Sequence, residues 1–163
     1  MLAVVMAALL SSPAASAPSP VGQNRGDPGR QASWTIPDAP SGAVVARHFA
    51  PIFHASTAGQ VYAQPVVAGG NVIAADEADQ VTALDPVSGA VRWQRSLGTP
   101  VPAVDGCGDL VPTYGITSTP VVDPGSGDLF VMADRLGKKG PRFELHRLRA
   151  SDGHERRGFP VKV

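Results

Sequence analysis

The tetrapeptide Gln64-Pro65-Val66-Val67 returns as Thr119-Pro120-Val121-Val122, 55 residues further on. Each copy opens a series of short apolar runs separated by turn residues, and no other feature of the chain constrains its fold as much. A recurrence at this interval implies one supersecondary unit built twice, each copy too small to bury its apolar face alone. In the first copy AQPVVA (63–68) meets the turn Gly69-Gly70-Asn71, and VIAA (72–75) follows. The acidic DEAD turn (76–79) leads into QVTALD (80–85), and Asp85-Pro86-Val87-Ser88-Gly89 turns the chain into AVRWQRS (90–96). In the second copy TSTPVVD (117–123), LFVMA (129–133), FELHRLR (143–149) and HERRGF (154–159) repeat the pattern. PGSG, the basic loop RLGKKGP (135–141) and ASDG join these runs. Gly, Asn, Asp and Pro supply the left-handed or pre-set backbone angles that tight hairpins need. The expectation is all-β: two four-stranded antiparallel meanders in tandem. AVVARHF (43–49) reads as a further strand.

Composition agrees. The 163 residues include 18 Gly and 16 Pro, and only 17% are charged, which suits short strands better than long helices. Lys plus Arg and Asp plus Glu both number 14, so a balanced chain offers no electrostatic case for nucleic acid. The charge is uneven along the sequence. Residues 76–134 carry a net −7 and residues 135–163 a net +6, which predicts mutual attraction of neighbouring surfaces or a face for an anionic partner.

The apolar stretch MLAVVMAALL followed by Ala15-Ser16-Ala17 reads as a signal peptide over residues 1–17, although no Lys or Arg precedes Arg25. It is too short to span a bilayer, so no membrane span is expected after its removal. The mature protein is expected to be exported, secreted or periplasmic, with residues 18–43 as a Pro/Gly-rich arm anchored by Trp34. Cys107 is the only cysteine, which excludes an internal disulfide. The segment 97–115 has no periodicity, and at that length it is expected to carry contacts of its own.

The run ALDPVSGAVRW resembles the repeat A-x-D-x-x-T-G-x-x-x-W of the pyrroloquinoline-quinone-like β-propellers. Ala83, Asp85, Gly89 and Trp93 match, with Ser88 where that family usually has Thr. The spacing has a physical basis. Asp85 can accept hydrogen bonds from turn amides, Gly89 can adopt positive φ, and Trp93 offers a flat face with one N–H donor. These residues are expected to dock one blade on the next. A second copy, RLRASDGHERR (147–157), keeps Gly153 but has Arg147, Arg149 and Arg157 at the Ala, Asp and Trp places. The resemblance covers about residues 44–163. It implies a partial β-propeller of about two four-stranded antiparallel blades, 61–97 and 116–159, with a further blade beginning at GFPVKV.

Chemistry is harder to find. Quinoproteins of this fold carry the quinone and Ca²⁺ in a central channel, and several have a vicinal disulfide that this chain lacks. Asp76, Glu77, Asp79, Asp105 and Asp109 fall in turns or loops and read as solvated turn residues, so no metal site is expected. His48, His54, His146 and His154 lack ligand spacing, and Ser118 and Thr119 lack a nucleophile-elbow context. No catalytic residue can be carried over from the family. The expectation is a binding or scaffolding module for a protein or glycan partner. The alternatives are the N-terminal part of a quinone-dependent sugar or alcohol oxidoreductase, with quinone and Ca²⁺ bound by the full-length protein, and a cell-envelope assembly factor.

Overall fold

The computed structural model describes residues 41–48, 50–103 and 110–163. Asp105, Cys107 and Asp109, the signal segment and nearly all of the Pro/Gly-rich arm lie outside them. Among the described residues there are two four-stranded antiparallel sheets, a two-stranded one, and a single short helix.

The first sheet runs β1 (Val66–Ala68), β2 (Asn71–Ala75), β3 (Gln80–Leu84) and β4 (Val91–Ser96) in simple meander order. The second runs β7 (Val121–Asp123), β8 (Asp128–Gly137), β9 (Gly140–Arg149) and β10 (Val161–Lys162). Their first strands, β1 and β7, lie beside each other, and the backbone N–H of Gln64 donates to Thr119 Oγ1 at 3.0 Å. That bond links the two members of the repeated tetrapeptide directly.

Strand alternation explains the core. Val66, Ile73 and Ala83 are cross-strand partners on one face of the first sheet, and none is exposed to solvent. Ala75 and Val81 share that face. Leu129, Val131, Ala133 and Leu148 on the second sheet complete one continuous apolar cluster with them. Each Val, Ile or Leu side chain so buried stabilises the fold by about 1.5–3 kcal/mol, and each Ala by less. Neither sheet could shelter these residues by itself.

The segment joining the sheets is not featureless. β5 (Val101–Pro102) and β6 (Thr113–Tyr114) pair as a small hairpin. It is stitched to the edge of β8 through a bridge between Pro100 and Arg135 and a 2.7 Å bond from Leu136 N–H to the Thr99 carbonyl.

Several strand expectations are corrected. AVVARHF is not a strand, since α1 (Gly42–His48) is a helix of about two turns whose Val44 N–H is capped by the Ser41 carbonyl and hydroxyl. The basic run 135–141 is not a loop. β8 and β9 continue through it, leaving only Lys138-Lys139 as the turn. The fourth strand of the second sheet is Val161–Lys162, not HERRGF, which contributes one bridge from Glu155 to Leu148. GFPVKV therefore completes the second sheet instead of opening a third.

Candidate functional site

The seam between the two sheets gathers more of the motif residues than any other place. Ala83, unexposed, lies between Ile73 on β2 and Trp93 on β4, so the indole stands over a small side chain. The Trp93 Nε1–H donates to the Ala150 carbonyl of the second sheet at 3.2 Å. The same carbonyl accepts from Asn71 Nδ2 at 3.0 Å. Beside it, a Cβ at Gly153 (φ 71°) would come within 2.6 Å of Trp93 Cε3. Gly69 is as close to the Ser151 backbone, where a Cβ would meet the amide nitrogen at 2.9 Å. At the far end of the seam, Arg95 reaches Glu155 at 3.1 Å, and Glu155 also meets His146 Nδ1 at 2.6 Å.

Asp85, Ser88 and Gly89 build the turn that leads to Trp93. The Asp85 carboxylate accepts from the N–H groups of Val87 (2.9 Å) and Ser88 (2.8 Å), from the Ser88 hydroxyl (3.0 Å) and from Arg92 (2.5 Å). The Ser88 and Val87 amides, then Arg92, hold its carboxyl well below the usual range. Gly89 sits at φ 71° against Phe53, where a side chain would collide with the ring. Asp123 and Ser126 form the same arrangement between β7 and β8, with the Ser126 hydroxyl donating at 2.6 Å.

The second copy of the motif keeps this backbone with other side chains. Gly153 N–H donates to the Arg149 carbonyl at 2.8 Å, as Gly89 N–H donates to that of Asp85 at 2.9 Å. Asp152 supplies the carboxylate from the opposite end of the turn, accepting from His154 N–H at 3.0 Å and pairing with Arg149 at 2.5 Å.

Where the aromatic of that copy stands was not legible. Counting forward from Glu155 reaches Arg157, and counting back from Val161 reaches Phe159. The register slips by one residue in the first sheet, between Ala83↔Trp93 and Leu84↔Val91, but by three in the second. Phe159 is the half-buried side chain, its ring 6.1 Å from that of Phe130 at 74°, while Arg157 is exposed. Arg147 stacks 5.4 Å above Phe130. Arg147 and Arg156 both pair with the buried Asp128, at 2.7 Å each. The Arg156 hydrogen bond leads in holding the Asp128 carboxyl down against desolvation.

The DEAD turn overturns its expected solvation: Asp76, Glu77 and Asp79 are all buried. Asp76 accepts from the N–H groups of Ala58, Ala78 and Gln80, and the Glu77 carboxylate accepts from Gly115 N–H at 2.6 Å. Thr113 donates its hydroxyl to the Glu77 carbonyl at 2.6 Å. The turn thus clamps residues 58–60 and 113–116 to the end of the first sheet. Among the described residues no group of three His, Cys, Asp or Glu side chains is placed to hold a metal ion. His54 and His154 are exposed, whereas His146 is buried.

Four-stranded antiparallel meanders stacked face to face with their first strands adjacent are blade-like units of the β-propeller kind. Residues 31–156 match the family described as outer membrane protein assembly factor BamB, and the chain belongs to this PQQ-like repeat family. Comparison with curated proteins finds no match.

Proposed function

We propose that the chain is an exported β-propeller repeat module that works by binding, as a scaffold in assembly at the cell envelope. The observation that carries this reading is the seam. Trp93 and Asn71 of one sheet bond to the Ala150 carbonyl beyond β9, Arg95 pairs with Glu155 beside it, and these bonds hold the sheets together without converging on a reaction centre. Ala83, Asp85, Ser88, Gly89 and Trp93 act as the docking device, and the two sheets are successive blades of a partial propeller. The family match supports the assembly role, because the family's own description is that of an outer membrane protein assembly factor. The same match favours an extracytoplasmic location, with residues 1–17 removed on export. Among the described residues no helix is long and apolar enough to cross a membrane. Partner contact falls to the β5–β6 hairpin and to the basic tip of the β8–β9 hairpin.

Photo-crosslinkers at Thr99 and Val101 in cells should give adducts with envelope assembly proteins, and adducts confined to cytoplasmic proteins would overturn the reading. The rival reading is a quinone-dependent oxidoreductase. Titration with pyrroloquinoline quinone and Ca²⁺ decides it: saturable binding with dye-linked oxidation of a sugar or alcohol would replace the scaffold.

A further inference from the structure

The β8–β9 hairpin has ten cross-strand pairs where β2–β3 has four. Met132↔Leu145 is the counterpart of Ala75↔Val81, so five further pairs carry this hairpin about 17 Å past the level at which β2–β3 turns. Alternation gives the projecting end of the hairpin a pair of unlike faces. Arg135 and Arg142, directly opposite each other, lie on one face with Lys162, which stands opposite Glu144. With Lys138 and Lys139 they line a depression of about 480 Å³, which Leu136 and Pro141 also border. Leu136 and Pro141, also cross-strand partners, lie on the reverse face, with Leu136 40% exposed.

The charges on this tip are not alike. Glu144 is buried and accepts from both Arg135 and Arg142 at 2.6 Å. Each guanidinium thus gives one N–H to an internal carboxylate, which ties both arginines to the hairpin and leaves the lysines as its unpaired charges. Lys138, Lys139 and Lys162 are exposed and have no acidic partner within ion-pair distance among the described residues. Lysine is a point charge on a flexible stem, which suits a fluid layer of anions better than one fixed carboxylate. A projecting element with lysines at its end and apolar side chains behind them matches the surface of an anionic bilayer.

We propose that the hairpin tip, Leu136 to Pro141 with Lys162, binds anionic lipid headgroups at a membrane surface. The lysines lie in the headgroup layer and Leu136 rests against the acyl boundary. The proposal rests on the reading of the chain as a binding module and names what one of its surfaces meets.

The test is co-sedimentation of the full chain with vesicles of phosphatidylcholine containing about one-third phosphatidylglycerol. The chain should sediment with these vesicles, be released as salt rises and its Debye screening shortens, and leave pure phosphatidylcholine vesicles alone. K138Q/K139Q should lower the partition coefficient about 30-fold, which is about 2 kcal/mol at roughly 1.4 kcal/mol per decade. L136Q should weaken binding with the salt dependence retained. The thermal midpoint of each variant is checked against the parent, so that loss of fold is not taken for loss of contact. Equal binding to neutral vesicles, or undiminished binding by folded K138Q/K139Q, would overturn the proposal. So would capture of soluble polyglutamate or inorganic phosphate without vesicle binding, which would point to an acidic polypeptide or a free anion instead. Envelope crosslinks from Thr99 and Val101 that persist when vesicle binding fails would leave the scaffold reading standing and remove only the lipid.

Discussion

Asp79 holds a left-handed φ of 56° and is buried, with neither carboxylate oxygen hydrogen bonded among the described residues. Burial pushes its pKa up to about 7. Arg135 opposes the rise, and Asp134, Glu77 and Asp76 add to it. Because the folded value lies above the unfolded 3.8, the native chain keeps a proton that the unfolded chain has released between about pH 4 and 7. Stability should therefore fall as pH rises through that window and level off above it. Asp79→Asn, which also tolerates the left-handed backbone, should remove the fall. Urea titrations should show a gain of up to about 4 kcal/mol at pH 8 and almost none at pH 3.5. Trp93→Phe, which keeps a ring but loses the bond to Ala150, should cost about 1 kcal/mol, and Trp93→Ala about 3 kcal/mol. Gly153→Ala places a methyl both at positive φ and against the indole, so its melting temperature should drop by several degrees.

At the scale of elements, the first sheet was readable because each of its strands is bounded by its own turn chemistry. Gly69-Gly70, Asp85 to Gly89 and the alternation of Val81 and Ala83 act within a few residues, so local sequence decides them. The misread elements depend on something farther off or subtler. The β-branched Val44 and Val45 pointed to a strand, but Ser41 caps a helix, and among the described residues no strand pairs with this segment. Gly137 and Gly140 suggest a loop, yet they flank a two-residue turn, and β8 and β9 continue on either side, with Thr99 and Pro100 bonded to β8 there. The DEAD turn looks solvated from its own residues because its burying partners, Gly115 and Ala58, are 38 and 18 residues away. The second aromatic is hidden from the sequence because a fixed motif spacing cannot register a three-residue slip. Phe159→Ala should therefore lower the unfolding midpoint, whereas Arg157→Ala, exposed, should leave it within about 0.5 kcal/mol of the parent.

Across the whole molecule, the two sheets bury one shared cluster, which makes their folding interdependent. Denaturant unfolding of a Trp34→Phe variant, whose fluorescence comes from Trp93, should give coincident transitions by fluorescence and by far-UV circular dichroism. A lower midpoint for the fluorescence would mean that the seam opens before the sheets melt. The charge asymmetry of the sequence takes a particular form here. Much of the acidic excess is held inside, in the DEAD turn and at Asp128, while exposed lysines remain near the tip of β8–β9. The class of fold was thus legible in the residues, but the character of the surface was not, because burial decides which charges the solvent meets.

The Ala150 carbonyl that receives both Asn71 and Trp93 belongs to the main chain, and every amino acid brings the same oxygen to that spot. Gly153 apart, mutation in the turn around it can rewrite the side chains, exchanging acid for base as at Arg149, without erasing the handhold. Such an arrangement lets one partner of the pair drift in sequence while the other must keep its indole and its amide.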